Sequence, residues 1–201
     1  MSIHEPTTPI AAMQVPATEA AATAPAHGAV MTPTAARIIA VLRIATGLTF
    51  LWAFADKTFG WNYATPSSGA WINGGSPTEG FLSNVHVGPM AETLRSWAGE
   101  PWADWLFMVG LLGIGLALVF GAGLRIAAAT GTAMMLLMWA AEWPLDRTTD
   151  AGEPSMSTNP IIDYHIIYAL VLIALAAVYA GNTWGAGRYW AQLVKHNHWL
   201  L

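Results

Sequence analysis

The sequence predicts an all-α integral membrane protein: a four-helix bundle with a long extracytoplasmic loop between helices 1 and 2 that carries a short amphipathic helix. Three observations predict this. Of 201 residues, 55% are hydrophobic and only 10% charged, against about 25% charged in a soluble domain, so the chain lacks the polar surface to face water on all sides. Four apolar stretches, roughly 35–56, 104–121, 123–143 and 161–181, each approach the ~20 residues that cross a hydrocarbon core. Tryptophan, which collects at membrane–water interfaces, occurs 11 times.

Residues 1–33 read as a disordered cytoplasmic tail, rich in Ala, Pro and Thr and without a periodic apolar pattern. They lack the basic start and apolar core of a signal peptide. Thr32 and Pro33 have the chemistry of a helix N-cap and first helical residue. The four spans occupy a membrane domain over 34–185, and 186–201 form a cytoplasmic tail. Between spans two and three stands only "GAGLR", Gly121 to Arg125, a tight turn with capping glycines. Span three stops at Pro144, which cannot continue a helix interior. Asn159 and Pro160 start span four as N-cap and first residue, which puts Asp163 in the first helical turn.

The segment from Lys57 to Pro101 is too long for a turn, and its first half is dense in aromatics and turn residues. In "GPMAETLRSWAG", Met90, Leu94 and Trp97 recur at helical spacing, the mark of a short amphipathic helix lying on the membrane surface. Such a loop serves either as a lid over a site or as a cap that stabilises the bundle. Arg37, Arg43, Arg125, Arg188 and Lys195 fall on one side of the membrane and Lys57, Arg95 and Arg147 on the other. The excess of basic residues puts both termini in the cytoplasm of a multi-pass plasma-membrane protein. The outer side then holds ten of the 12 acids against three bases, a formal charge of −7.

The absence of cysteine excludes disulfides, thiolate-ligated metals and thioether-linked haem. Of six histidines, only His165 lies in an apolar stretch, which speaks against a haem held between two histidines in the bilayer. No haem, flavin or metal site is evident, nor a phosphate-binding loop, a nucleophile triad or a nucleic-acid-binding feature.

Ionisable groups within a span are costly, about 2.5–3.5 kcal/mol at a helix centre, so those present carry meaning according to depth. Arg43 lies ~12 Å into the first span, on a stripe with Gly47, Phe50, Phe54 and Lys57; it either snorkels to headgroups or partners a buried acid or polar ligand. Glu142 ends the third span between Trp139 and Trp143, on a stripe with Gly131, Met135 and Met138. It faces either headgroups or the bundle, where Lys57 or His165 could pair with it; the small and adaptable neighbours favour the bundle. Asp163 has a local explanation, since an anion in the first turn suits the helix dipole. His165 has none. It shares a face with Ala169, Ala176 and Ala180, with Tyr168 one turn on, whereas Asp163 lies about 200° away around the helix. Asp56, Lys57, Glu142, Asp163 and His165 thus reach one depth at the outer edge, with Trp139, Trp143, Tyr164 and Tyr168 nearby. Acids and an imidazole beside aromatics suit a quinone headgroup, whose carbonyls need donors and whose reduction takes up protons.

The stretches "LRIATGLTFLWAFADKTFG", "GGSPTEGFL", "DWLFMVGLLGIGLALVFGAGLRIAA", "MWAAEWP", "NPIIDYHIIYALVL" and "TWGAGRYW" resemble the DoxX family. The likeness is closest to its DoxD-like branch, which includes the large membrane subunit of thiosulfate:quinone oxidoreductase. It spans roughly 35–200, with Phe54 standing where many members have glycine. The resemblance implies a four-helix membrane bundle passing electrons from thiosulfate or another sulfur donor to quinone, with a second protein subunit as partner. The matching positions are Arg43, Lys57, Glu142, Asp163 and His165. The expectation is therefore a membrane subunit of a quinone-linked oxidoreductase, in which His165, Glu142 and Asp163 are catalytic and Lys57, Arg43, Trp139, Trp143 and Tyr168 hold quinone or donor. The alternative is a non-catalytic membrane subunit or scaffold of a respiratory or redox complex. An acidic outer surface repels dianionic thiosulfate but leaves neutral quinone unaffected.

Overall fold

The computed structural model describes residues 31–148, 151–155, 157 and 159–201. All but the last three residues of the expected N-terminal tail lie outside the described residues, as does Asp150. Among the described residues the fold is helical throughout, with seven α-helices and no strand.

Helix α1 runs from Pro33 to Phe59. Thr32 caps it as its chemistry predicts, the hydroxyl accepting from the Ala35 amide at 3.2 Å, and Gly60 ends it in the left-handed conformation (φ 65°). The loop beyond holds two short helices, α2 (Glu79–Leu82) and α3 (Ala91–Ser96). Two buried carboxylates pin this loop. Asp56 accepts from the amides of Tyr63 and Ala64 at 3.3 and 3.0 Å. Asp104 accepts from Ser76 Oγ, the Thr78 amide and Thr78 Oγ1 at 2.8, 2.9 and 2.6 Å. The apolar stripe of α3 turns into the protein rather than onto a membrane surface: Leu94 and Ala91 pack with Val85 against Ala141, joined by Met90 and Trp97. A protein neighbour at helix-packing distance takes the place the sequence assigned to lipid.

Helices α4 (Pro101–Phe120) and α5 (Leu124–Glu142) are joined by the expected tight turn, with Gly121 and Gly123 left-handed at φ 70° and 68°. Trp143, also left-handed (φ 40°), closes α5 one residue before Pro144. Helix α6 runs from Tyr164 to Ala177, shorter than the stretch 161–181. Asn159 does accept from the amides of Ile161 and Ile162, both at 2.9 Å, but it closes a local turn. Asp163 is the N-cap, extended at φ −99°, and its carboxylate accepts from the Ile166 amide at 3.1 Å. A final helix, α7 (Gly187–Leu193), is tied to the chain end by a 2.8 Å bond from Trp190 Nε1 to the Leu200 carbonyl.

Helices α1, α4 and α5 are long and apolar enough to cross a membrane. They pack in sequence, α1 on α4, α4 on α5 and α5 on α6, around a core that includes Phe50, Met108, Leu118 and Leu172. Leu48, Val109, Leu136 and Leu170 on the outer faces stay exposed. So continuous an apolar outer surface is unsuited to water and suited to lipid. Small residues set the crossings. A Cβ at Gly47 would stand 2.8 Å from Leu118 Cβ, and one at Gly131 would stand 2.5 Å from Leu172 Cδ1.

Candidate functional site

The α1–α4 crossing at Gly47 carries Arg43, fully buried, to the C-terminal end of α4. Its guanidinium donates to the carbonyls of Leu118 and Val119 there and to those of Thr183 and Trp184 beyond α6. No acid partners it among the described residues. Orphan carbonyls at a helix C-terminus carry partial negative charge, so the cation caps α4 and staples the 183–184 turn to it.

The opposite end gathers the other polar residues. His165 is 1% exposed; Ala169, Ala176 and Ala180 are buried with it, whereas Leu170 and Ala174 face outward. The imidazole side of the wheel is therefore the inner one. Asp163 is nonetheless its neighbour: Oδ2 lies 2.9 Å from His165 Nδ1. The 200° separation applies only within a helix, and the extended N-cap backbone lets the carboxylate fold back over the first turn. Glu142 reaches across from α5, Oε2 lying 3.8 Å from the same Nδ1. Tyr164, named by the sequence only as a neighbour, donates its hydroxyl to Glu142 Oε1 at 2.5 Å, within the range of a strong charge-assisted bond. Its ring lies against that of His165, centroids 4.0 Å apart.

With two carboxylates facing Nδ1, that nitrogen carries the proton and the closer Asp163 accepts it. His165 Nε2 is buried with no hydrogen-bond partner among the described residues. Tyr164 and Glu142 share one hydrogen bond and His165 and Asp163 another, with 3.8 Å between Glu142 Oε2 and His165 Nδ1, so four ionisable groups line up from an open rim to a buried nitrogen. The rim opens on a cleft of about 730 Å³ lined by Glu142, Asp163 and Tyr164 on one side and Phe81, Asn84 and His86 on the other. The loop between α1 and α4 is thus both cap, through Leu94, and cleft wall. Nothing in its sequence spacing marks Asn84 or His86.

The remaining predicted residues lie around or away from this line. Trp139 braces the approach to α6, its indole donating to the Ile161 carbonyl at 3.1 Å, and stands edge-on to Trp143 at 5.5 Å. Trp143 covers Gly88, where no Cβ would fit. Tyr168 packs edge-on against Phe50 at 6.2 Å. Lys57 pairs with neither Glu142 nor His165; its ammonium lies 5.9 Å from the Phe107 ring centre. Asp56, assigned by depth to the polar group, holds the loop instead.

A family model described as DoxX matches residues 38–143, more than half of the chain. The protein belongs to the DoxX family. Curated proteins and solved structures yield no match. The DoxX match takes in α1 from Ile38 onward, the loop, α4 and α5 with Glu142, and ends before Asp163 and His165. This DoxX protein thus builds its polar line across the edge of the matched region, with one carboxylate inside it and the imidazole outside.

Proposed function

We propose that this DoxX protein is the membrane subunit of a quinone-linked oxidoreductase, with the quinone headgroup in the cleft beside Glu142 and Tyr164. The observation that carries this reading is the line of ionisable groups itself: a phenol at 2.5 Å from one glutamate oxygen, and an imidazole 3.8 Å from the other that is backed by Asp163 at 2.9 Å. Reducing a quinone to a quinol adds two electrons and two protons. Protons enter from the exposed rim: Glu142, 37% exposed, takes them from solvent and relays them with Tyr164 to the reduced headgroup, while His165 and Asp163 hold the Glu142 carboxylate from behind. The electrons come from a sulfur donor such as thiosulfate, or from a partner subunit. In this reading the four apolar helices span the plasma membrane as a bundle, with both termini cytoplasmic and the cleft outside.

A scaffold reading draws on a different feature. Trp52, Phe59, Trp61 and Tyr63 are exposed and pack together, Trp52 edge-on to Tyr63 at 5.0 Å and Phe59 stacked on Trp61 at 5.7 Å, a surface suited to a protein partner. Titration of the detergent-purified protein with a short-chain quinone, followed by tryptophan fluorescence, separates the two. Saturable binding that weakens at least tenfold in Glu142→Gln supports the quinone site. The absence of saturable binding removes it and leaves the scaffold.

A further inference from the structure

We propose that Glu142, Asp163 and His165 bind a divalent transition-metal ion of the zinc or manganese class at the mouth of the cleft. One ligand atom from each lies within 4.8 Å of the others. Around a tetrahedral ion with bonds of ~2.0–2.1 Å, ligand atoms stand roughly 3.3 Å apart. The two separations to His165 Nδ1, 2.9 Å from Asp163 Oδ2 and 3.8 Å from Glu142 Oε2, bracket that spacing, and the set closes by drawing the three atoms, all within 4.8 Å, onto one ion.

The donors are also held in advance. Each carboxylate uses one oxygen to fix itself and presents the other to the common point. Glu142 Oε1 accepts from the Tyr164 hydroxyl and leaves Oε2 toward the imidazole. Asp163 Oδ1 accepts from the Ile166 amide and leaves Oδ2 toward the same nitrogen. Two carboxylates neutralise a divalent ion, the imidazole nitrogen favours a transition metal over calcium or magnesium, which take oxygen alone, and Glu142, 37% exposed, leaves the cleft side open for water or substrate.

Binding replaces the Nδ1 proton with metal and leaves the ring proton on Nε2, which lacks a partner among the described residues. Outer-shell partners of a ligating histidine are commonly worth 10–100-fold in affinity, so this site is weaker than a fully supported one and exchanges its ion readily. Sequence spacing does not reveal it, because Glu142 and His165 lie on different helices.

The test is titration of the intact, chelator-stripped protein in detergent with Zn²⁺, by calorimetry and by thermal unfolding. One equivalent should bind and raise the melting temperature. Glu142→Gln and His165→Ala should each weaken binding more than tenfold and abolish the rise, whereas a His196→Ala, His198→Ala double variant should bind as the wild type does. Should His165→Ala fail to fold, the near-isosteric Glu142→Gln decides alone. Full binding retained in Glu142→Gln, loss of binding in the tail double variant, or no saturable binding overturns the proposal. No quinone is present, so the outcome is independent of the redox reading.

Discussion

The two ends of the helix assembly each bury an ionisable side chain almost completely, and they do opposite things with it. Arg43 donates to the carbonyls of Leu118, Val119, Thr183 and Trp184, four neutral acceptors that cannot change protonation. His165 has titratable neighbours at one nitrogen, no partner at the other among the described residues, and a cleft beyond Glu142 and Tyr164. Burial alone does not mark function in a membrane protein. What separates a staple from a site is whether the partners can change protonation and whether the outside reaches them.

Breaking the Arg43 end should cost the most. Arg43→Leu leaves four carbonyls without their donor and should destabilise by about 1–3 kcal/mol for each one that stays buried and unpaired; thermal unfolding in detergent measures it. Arg43→Lys should recover only part, because an ammonium cannot fork to both pairs of carbonyls. A fully stable Arg43→Leu would show that Arg43 is not a staple. At the other end the expected effect moves from stability to chemistry. Glu142→Gln should lower quinone reduction by about 10²–10⁴, the usual worth of a positioned acid or base, while the melting temperature stays close to that of the wild type. Equal loss of stability and turnover would erase the contrast between the ends.

Smaller effects sharpen it. Asp163→Asn keeps a good N-cap but removes the charge beside His165, so turnover should fall with little change in helix stability; Asp163→Ala should in addition lose about 1 kcal/mol of cap energy. Comparing the two by unfolding and by quinone reduction divides the residue's two roles. Tyr164→Phe should have the least effect on stability, about 0.5–1.5 kcal/mol for one hydrogen bond, and should weaken quinone binding by freeing the Glu142 carboxylate to rotate.

Much of the fold was legible because its causes are local. Thr32 with Pro33, the paired glycines of "GAGLR" and the Trp143–Pro144 stop fix helix ends through backbone chemistry that neighbouring residues supply. The start of α6 was misplaced because two competent caps, Asn159 and Asp163, stand four residues apart, and spacing does not choose between them. The polar cluster was legible only as a depth. Depth correctly grouped Glu142, Asp163 and His165, but it equally grouped Lys57 and Asp56, which bond elsewhere.

By itself, then, the sequence determined that this chain is a membrane protein, which stretches form its long apolar helices, and several of the caps and turns that end them. Those properties follow from composition and from interactions within about one helical turn. The tertiary structure alone decided that Arg43 caps α4, that Asp104 and Asp56 hold the loop, and that Tyr164, Glu142, His165 and Asp163 join in one line. Partner choice depends on how helices cross, and the crossings at Gly47 and Gly131 are set by contacts between residues far apart in the chain.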